Sequence, residues 1–129
     1  MSLERLNPPQ LHQTPGYHHV TIASPGRWIF LAGQCPLDAS GAVVGGDDVL
    51  AQVDQVVANT KLALSAAQVG PDDVVRTVIY VVTDQNPVLG SVWRRFTTSE
   101  LGPAFSTAST LVGVARLGFT GQLVELDVT

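Results

Sequence analysis

A carboxylate near the end of the chain, Glu125, is the first residue whose chemistry calls for an explanation, because it lies within an apolar stretch. A buried carboxylate is costly unless it is paired or used in a reaction. Two small hydroxyl residues, Ser109 and Thr110, open the preceding apolar stretch. Glu125 could therefore serve a binding cleft, or it could pair with a backbone amide or an arginine in a structural role.

The other nucleophiles and metal ligands offer less. His18 and His19 are adjacent, so on a strand they face opposite ways and cannot share a metal within one chain. Cys35 is expected to be a small buried residue, since a reactive thiol needs an electropositive setting. No histidine is placed to activate Ser109, and the stretch 41–46 lacks the Lys-Ser/Thr pair of a P-loop. We therefore expect no metal site and no phosphate-binding loop.

Charge and hydropathy exclude several classes of protein. The net charge is −4 and only Arg94 and Arg95 are adjacent cations, which weighs against nucleic acid as a partner. No stretch approaches the roughly 18 apolar residues that span a bilayer, and the N-terminal residues lack the apolar core of an export signal. The single cysteine, Cys35, excludes an internal disulfide and fits a reducing compartment. We therefore expect a cytoplasmic protein with no membrane contact.

The small share of charged residues predicts that copies of the chain associate. Charged residues make up 14% of the chain and hydrophobic residues 45%, whereas about a quarter of a typical soluble protein is charged. A domain of 129 residues also has much surface relative to its volume. Apolar side chains must then remain on the surface, and contiguous apolar patches usually mark interfaces.

Periodicity divides the chain, a single domain over 1–129, into an extended arm at 1–16 and seven elements. These are strands at 17–23 and 28–34 that form a hairpin, a helix at 47–68, a strand at 74–82, a helix from the cap Asn86 to Gly102-Pro103, and two strands between 107 and 128. The continuous apolar character of 28–34 predicts a strand buried on both faces. On the first helix, the apolar stripe includes Val53 and Leu64 and leaves Gln52 outside it.

This order, β-β-α-β-α-β-β, predicts an α+β fold in which a single mixed sheet carries both helices on one face. The other face of the sheet then has no helix to cover it. We expect that face to pack against other copies of the chain.

Five short segments, in order over nearly the whole chain, resemble the YjgF/RidA family of small reactive-intermediate deaminases, also described as endoribonuclease L-PSP-like. They are Pro15-Gly16-Tyr17, Ala32-Gly33-Gln34 with Pro36, the helical stretch 52–67 with its Leu64-Ser65-Ala66-Ala67 end, Val112-Gly113-Val114-Ala115-Arg116-Leu117, and Leu123-Val124-Glu125-Leu126. No single segment is specific, but five at compatible spacing identify the chain as a member of the family.

The resemblance implies a homotrimer with three clefts between subunits, in which enamines or imines are hydrolysed to 2-oxo acids without a cofactor. Tyr17, Gly33 and Glu125 fall on the family positions that border the cleft and position the water and the imine. Ser109 occupies the position of the arginine that binds the substrate carboxylate, and Leu111 that of a cysteine. The resemblance thus makes Glu125 the candidate catalytic residue and the other four the candidate substrate-binding residues.

A serine is a poor replacement for an arginine at such a site. Arginine offers two charge-assisted bonds to a carboxylate, whereas a neutral bond from Ser109 is worth about 1 kcal/mol, against about 1.5–3 for a bond to a charged group. Arg116 lies seven residues further along the strand, about 23 Å away and on the opposite face. Arg94 or Arg95, from a helix or a neighbouring subunit, stay open as substitutes. We expect weak or absent 2-imino-acid deaminase activity, and Leu111 favours a neutral or less acidic ligand.

Three functions are compatible with these residues. The first is a trimeric hydrolase of a small carbonyl- or imine-type metabolite, with Glu125 orienting water. The second is a non-catalytic small-molecule-binding or regulatory trimer that uses the same cleft. Ribonuclease or translation inhibition, associated with some family members, is disfavoured by the acidic charge. The first two functions differ at Glu125, because Glu125→Gln should abolish turnover and leave binding intact.

Overall fold

Five strands and two helices form the part of the chain that a computed structural model describes, residues 2–129. They are, in order, β1 (Leu3–Leu6), β2 (Val20–Ala23), α1 (Val49–Ala66), β3 (Arg76–Val82), α2 (Asn86–Thr97), β4 (Ala108–Val114) and β5 (Val124–Val128). Short 3₁₀ turns, Pro71–Asp73 and Gly102–Phe105, precede β3 and β4. The predicted order of strands and helices is present, although the first two strands are not the predicted pair.

The strands form two sheets rather than the single mixed sheet that the sequence predicted. β3 lies at the centre of a three-stranded sheet, parallel to β4 on one side and antiparallel to β5 on the other. β1 and β2 form a separate antiparallel pair. The stretch 1–16, predicted as an extended arm, thus supplies a strand, and β2 pairs with it instead of with 28–34. The α+β class, with two helices and a mixed sheet, is confirmed.

Residues 28–34 do not form the doubly buried strand that their apolar character predicted. They run beside β5 with isolated hydrogen bonds, among them one from Gln34 N to Leu126 O at 2.7 Å. The side chains of Trp28 and Phe30 are 53% and 76% exposed. The prediction was wrong because no layer of the single chain covers the outer side of this segment.

Helix α1 begins and ends close to its predicted bounds. The Asp48 carboxylate caps it by accepting a hydrogen bond from Leu50 N at 3.0 Å. At the other end Gln68, with φ of 59°, takes the left-handed conformation that turns the chain out of the helix. Helix α1 therefore ends two residues before the predicted bound at residue 68.

Helix α2 begins one residue earlier than predicted, because Asn86 is its first residue and Gln85 occupies the cap position. Its side chains Val92 and Phe96 are fully buried, and Trp93 packs against the same core while remaining partly exposed. This partial exposure brings Trp93 to the surface beside β4.

Both helices pack on one face of the three-stranded sheet, as predicted. Alternate residues of β3 and β5 point into this core, including Ile79, Val81, Val124 and Leu126. The opposite face carries the remaining residues of these strands, which neither α1 nor α2 covers. Within residues 2–129, no helix combines the length and apolar character needed to cross a bilayer.

Candidate functional site

A cleft of about 670 Å³ lies between helix α2 and strand β4, and we call it the α2 cleft. Its walls are Pro15, Tyr17, Gly90, Trp93, Arg94, Thr97, Ser109, Thr110 and Leu111. Three of the predicted ligand-binding residues, Tyr17, Ser109 and Leu111, thus share one cleft.

Tyr17 is held at this cleft by the segment that precedes β2. Its ring packs edge-on against Trp93, with the ring centroids 6.1 Å apart. Trp93 Nε1 in turn donates a hydrogen bond to Pro15 O at 3.4 Å. The Tyr17 hydroxyl lies 2.8 Å from Nε2 of His12. His12, which lies in the stretch predicted as an extended arm, is therefore a direct partner of the cleft tyrosine.

The hydroxyl group of Ser109 is engaged within the chain. It accepts a hydrogen bond from Thr77 Oγ1 at 2.6 Å, and it donates towards Thr107 O at 3.2 Å and Phe105 O at 3.3 Å. Its one proton is thus directed at main-chain carbonyls. Leu111 packs against the hydrophobic core from the same strand. This wall of the α2 cleft consequently offers a ligand more apolar contact than hydrogen bonding.

Arg94 and Arg95 are neighbours in sequence with different surroundings. Arg95 makes a two-point ion pair with Asp54 of α1, through Nε–Oδ1 at 2.8 Å and Nη2–Oδ2 at 2.6 Å. The hydrogen bond from Arg95 is the main cause that lowers the pKa of Asp54. Arg94 instead lines the α2 cleft beside Ser109. Of the two helix arginines, Arg94 is therefore the one that lines the same cleft as Ser109.

A second group of residues surrounds the carboxylate of Glu125. We call Gly33, Cys35, Gln122 and Glu125 the Glu125 cluster. Buried Gln122 donates a hydrogen bond to Glu125 Oε1 at 3.0 Å, and the Cys35 thiol donates to the same oxygen at 3.3 Å. The main chain at Gly33 lies so close that a Cβ atom there would overlap Oε2 and lie 2.9 Å from Cδ. Two donors and a glycine therefore hold this carboxylate in one orientation.

The Cys35 thiol is a hydrogen-bond donor rather than a nucleophile. Burial raises its pKa to about 11, with further increases from the hydrogen bond to Glu125 and from the negative charge of that residue. The thiol therefore stays protonated at neutral pH and can donate to the carboxylate. An unreactive Cys35 was expected from the sequence, but its role as a partner of Glu125 was not.

The α2 cleft and the Glu125 cluster belong to opposite faces of the three-stranded sheet. Ser109 pairs with Thr77 on β3, and their hydroxyl groups meet on the helix-covered face. Glu125 pairs with Tyr80, an odd number of residues further along β3 and so on the other face. β4 and β5 flank β3, so the two strands lie roughly 10 Å apart. One chain thus brings Tyr17, Ser109 and Leu111 together, and it brings Gly33 close to Glu125. A single chain does not place these two groups around one small ligand.

The histidines are engaged in other contacts. His18 Nδ1 contacts Ser106 O, and His19 Nε2 lies 2.9 Å from His12 O. In the described part of the chain, no group of three His, Cys, Asp or Glu side chains is arranged to hold a metal ion.

Gln122 and Trp93 are site residues that sequence reasoning missed. Gln122 carried one usable signal, since it is an uncharged polar residue just before an apolar strand. Trp93 carried no site signal, since it is one of several apolar residues in the sequence of the second helix. Its indole spans two environments, because the ring packs on Phe105 at a centroid distance of 5.9 Å while its other edge meets Tyr17.

Comparisons with known proteins agree with this architecture. No curated protein sequence matches the chain. The Rid family protein YyfB of Yersinia pestis, described as of unknown function, has a similar structure with a TM-score of 0.87 and 31% identity, over 99% of this chain and 97% of that chain. The YjgF gene product of E. coli matches with a TM-score of 0.63 and 26% identity, over 90% and 87% of the two chains. Rv2704 of Mycobacterium tuberculosis, a YjgF/YER057c/UK114 family member, shares the fold with a TM-score of 0.57 and 24% identity, over 98% and 97%.

The family model named Endoribonuclease L-PSP matches residues 10–129, which is nearly the whole chain. The match includes every residue of the α2 cleft and of the Glu125 cluster. The resemblance drawn from the sequence is therefore confirmed, and the chain belongs to the endoribonuclease L-PSP family, together with the Rid and YjgF proteins that share its structure.

Proposed function

We propose that the protein is a RidA-like homotrimer that binds a small carbonyl- or imine-type metabolite in clefts between subunits and hydrolyses an imine or enamine there. In each cleft, the α2 cleft of one subunit faces the Glu125 cluster of its neighbour. Tyr17, Ser109 and Leu111 contact the ligand from one side. Gly33 borders it from the other side, and Glu125 orients the attacking water.

The separation of Ser109 from Glu125 is the observation that carries this proposal. The two residues lie on opposite faces of one sheet, so a single chain cannot place both at one small ligand. A second copy, whose uncovered sheet face meets the α2 cleft of the first, supplies the missing half. A closed ring of such contacts repeats the same heterologous interface around one axis.

Exposed apolar side chains support association of this kind. Trp28, Phe30, Leu62 and Phe119 are large apolar residues at the surface of the single chain. Large apolar side chains left at the surface of a single chain are candidates for burial at an interface. Burial of these side chains between subunits would account for a chain with so few charged residues.

The chemistry of the site favours a substrate other than the usual small 2-imino acids. Ser109 stands at the arginine position, and its proton is used by main-chain carbonyls. A carboxylate at that position loses the charge-assisted bonds on which its binding would depend. We therefore expect weak or no hydrolysis of iminopropionate and iminobutyrate, and enzyme-like rates with either substrate would contradict this part of the proposal.

The solution mass tests the assembly directly. Light scattering coupled to gel filtration should give three times the chain mass of 13.6 kDa. A monomeric mass over the micromolar range would overturn the proposed cleft, because Ser109 and Glu125 would then never meet.

Subunit mixing tests whether two chains share one site. Tyr17→Ala damages the α2 cleft, and Glu125→Gln damages the cluster, so each variant alone should lose turnover of any imine that the wild type hydrolyses. When the two are co-expressed and assemble at random, about one quarter of the clefts combine two undamaged halves. Recovery of about that share of activity supports the intersubunit site, and no recovery shows that both residues act within one chain.

A non-catalytic binding or regulatory trimer is the second candidate, and the serine at position 109 favours it. In that case the wild type and Glu125→Gln bind the same ligand and neither turns it over. A wild type that hydrolyses an imine, with loss in Glu125→Gln but retained binding, decides for the enzyme.

A further inference from the structure

Arg94 gives the α2 cleft a local charge opposite to that of the whole chain. The chain carries a net charge of −4. The nine residues that line this cleft nevertheless include one arginine and, among the described residues 2–129, no Asp, Glu or Lys. The walls that one chain gives to this cleft therefore carry a single positive charge.

The guanidinium group of Arg94 has unused hydrogen-bonding capacity. Among residues 2–129 the side-chain ion pairs are those of Lys61 with Glu100 and of Arg95 with Asp54. Arg94 contributes one long contact, from Nη2 to Ser91 Oγ at 3.4 Å. A guanidinium carries five N–H donors in a planar fork. Most of these donors remain free for a ligand.

Helix α2 arranges space and a second polar group around Arg94. Gly90 lies one turn before it on the same side of the helix. A Cβ atom at Gly90 would lie 3.4 Å from Arg94 Nη1, so the arginine side chain lies back over the glycine. Thr97 follows one turn later and also lines the cleft. Gly90, Arg94 and Thr97 thus form one stripe along the cleft, in which Arg94 presents its fork and the Thr97 hydroxyl donates to Arg94 O at 3.3 Å.

We propose that Arg94 is the carboxylate-binding residue of the α2 cleft, and that the ligand is a monocarboxylate with an apolar body. This inference rests on the proposed function, because it names the ligand class of the same cleft. The carboxylate binds at the helix wall, and Ser109 shapes the strand wall without donating to it. Trp93, Tyr17 and Leu111 provide apolar contacts for the body of the ligand.

A monocarboxylate fits the site better than other anions. The planar fork of arginine matches the two oxygens of a carboxylate in a two-point bond. A phosphate would bring nearly two charges into a cleft that offers one cation. The aromatic and aliphatic walls favour an apolar body, as in most small-molecule sites. This assignment replaces the neutral ligand that Leu111 alone would favour.

A matched pair of probes tests the charge requirement. 3-Phenylpropionate and 3-phenylpropanamide have nearly the same shape and differ in the carboxylate. Isothermal titration with the assembled wild-type protein should show the carboxylate binding at least about tenfold more tightly, as expected for a charge-assisted bond. Equal affinity for the two probes, or no binding of 3-phenylpropionate at millimolar concentration, overturns the inference.

Two substitutions locate the charge. Arg94→Gln should weaken 3-phenylpropionate binding by roughly tenfold to hundredfold while leaving the amide unchanged. Arg94→Lys keeps the charge but loses the fork, so its affinity should be intermediate. Arg116→Gln removes the same charge from an exposed residue outside the cleft and should bind like the wild type. An unchanged dissociation constant in Arg94→Gln would sink the assignment.

The same experiment separates this inference from the proposed function. If Tyr17→Ala abolishes binding of 3-phenylpropionate and Arg94→Gln does not, the cleft is a ligand site and Arg94 is not its anchor. If Arg94→Gln abolishes binding but mixing of Tyr17→Ala and Glu125→Gln subunits restores no turnover, Arg94 is the anchor. The shared site with the Glu125 cluster is then rejected.

Discussion

Gly33 and Glu125 are packed so closely that the main chain at residue 33 forms one wall around the carboxylate. A Cβ atom on Gly33 would overlap Glu125 Oε2 and lie 2.9 Å from Cδ. Gly33 is not among the glycines with a positive φ, so the glycine is needed for space and not for conformation. The neighbour that would have to move is the end of a flexible side chain. We therefore expect a substitution at residue 33 to affect function more than folding.

The first prediction concerns Gly33→Ala. The added methyl group should displace the Glu125 carboxylate from Gln122 and Cys35, so turnover or ligand affinity should fall at least tenfold. Folding should change little, because a side-chain rotation relieves the overlap. Thermal unfolding and activity, measured on the same preparation, separate these two effects.

Gly26→Ala is the matched control for that substitution. A Cβ atom at Gly26 meets nothing within 4 Å, and its φ is not positive. This variant should keep full function and change the free energy of unfolding by no more than about 0.5 kcal/mol. Equal loss of function in both glycine variants would contradict a specific role for Gly33.

The second prediction concerns the reactivity of Cys35. Burial, followed by the hydrogen bond to Glu125 and its charge, raises the pKa of the thiol to about 11 from an ordinary value of 9.0. Since the thiolate is the reacting form, alkylation by iodoacetamide at pH 8 should be roughly a hundredfold slower than for the unfolded chain. The rate should rise with pH until the pH exceeds about 11.

Glu125→Gln tests whether Glu125 contributes to the raised pKa of Cys35. It removes the negative charge and should lower the pKa of Cys35 partway, because burial remains. The sign for stability follows from the raised value: the protonated thiol stabilises the folded state fully below pH 9, and this contribution is lost as the pH rises through about 11. Fast alkylation of the wild type at pH 7 would show that the thiol is not held by Glu125.

The third prediction concerns Gln52, a fully buried amide. Its Nε2 donates to Gly46 O and Gly121 O, both at 2.9 Å, and its Oε1 accepts from Leu123 N at 2.7 Å. Gln52→Leu leaves these main-chain groups without partners, at a cost of about 1–3 kcal/mol for each group that water cannot reach. Urea unfolding should show this loss.

Gln55→Leu is the comparison for Gln52→Leu. Gln55 makes one side-chain bond, from Nε2 to Asn59 Oδ1 at 2.9 Å, and it is only partly buried. The substitution at residue 55 should therefore cost much less than the one at residue 52. Similar midpoints for the two variants would mean that the three bonds of Gln52 do not stabilise the fold.

The fourth prediction concerns the ion pair of Asp54 and Arg95, which joins α1 to α2. The hydrogen bond from Arg95 lowers the pKa of Asp54, so the pair stabilises the fold above the ordinary aspartate pKa and loses that effect as the pH falls through the lowered value. The contribution should be small, because both side chains are about half exposed, at 53% and 47%.

A double-mutant cycle with Asp54→Asn and Arg95→Gln should show a coupling at pH 7 that shrinks at high salt and is lost as the pH falls through the lowered pKa of Asp54. Binding of a carboxylate in the α2 cleft should survive both substitutions. Loss of ligand binding in Arg95→Gln, with Arg94 intact, would mean that Arg95 also serves the cleft.

Local patterns in the sequence were sufficient for the helices and for the three strands of the central sheet. A periodic apolar stripe and a capping residue such as Asp48 lie within one contiguous stretch, and so do the branched residues of β3. The family motifs were equally local. They singled out Tyr17, Gly33 and Glu125 as candidate site residues before any contact between distant segments was known, and this assignment stays a prediction.

Pairing between distant segments could not be predicted in this way. The apolar stretch 28–34 carries a stronger strand pattern than Leu3–Leu6, yet Leu3–Leu6 pairs with β2 and Phe30 remains 76% exposed. Burial depends on what covers a segment, and that is a property of the other layers. Gln52 is the opposite case, a polar residue outside the apolar stripe that is nevertheless buried. Three main-chain groups from other segments hold it there by hydrogen bonding to its side chain.

The two helix arginines and the two halves of the site have the same explanation. Arg94 and Arg95 differ by one position, about 100° around the helix, and this rotation sends one to the α2 cleft and the other to Asp54 of α1. Sixteen positions separate Ser109 from Glu125, but their register on β3 places them on opposite faces. Residue types and motifs are encoded along the chain. The face on which a residue lies and its distance from other residues arise only when helices and strands pack, because each contact joins residues whose positions are set by different elements.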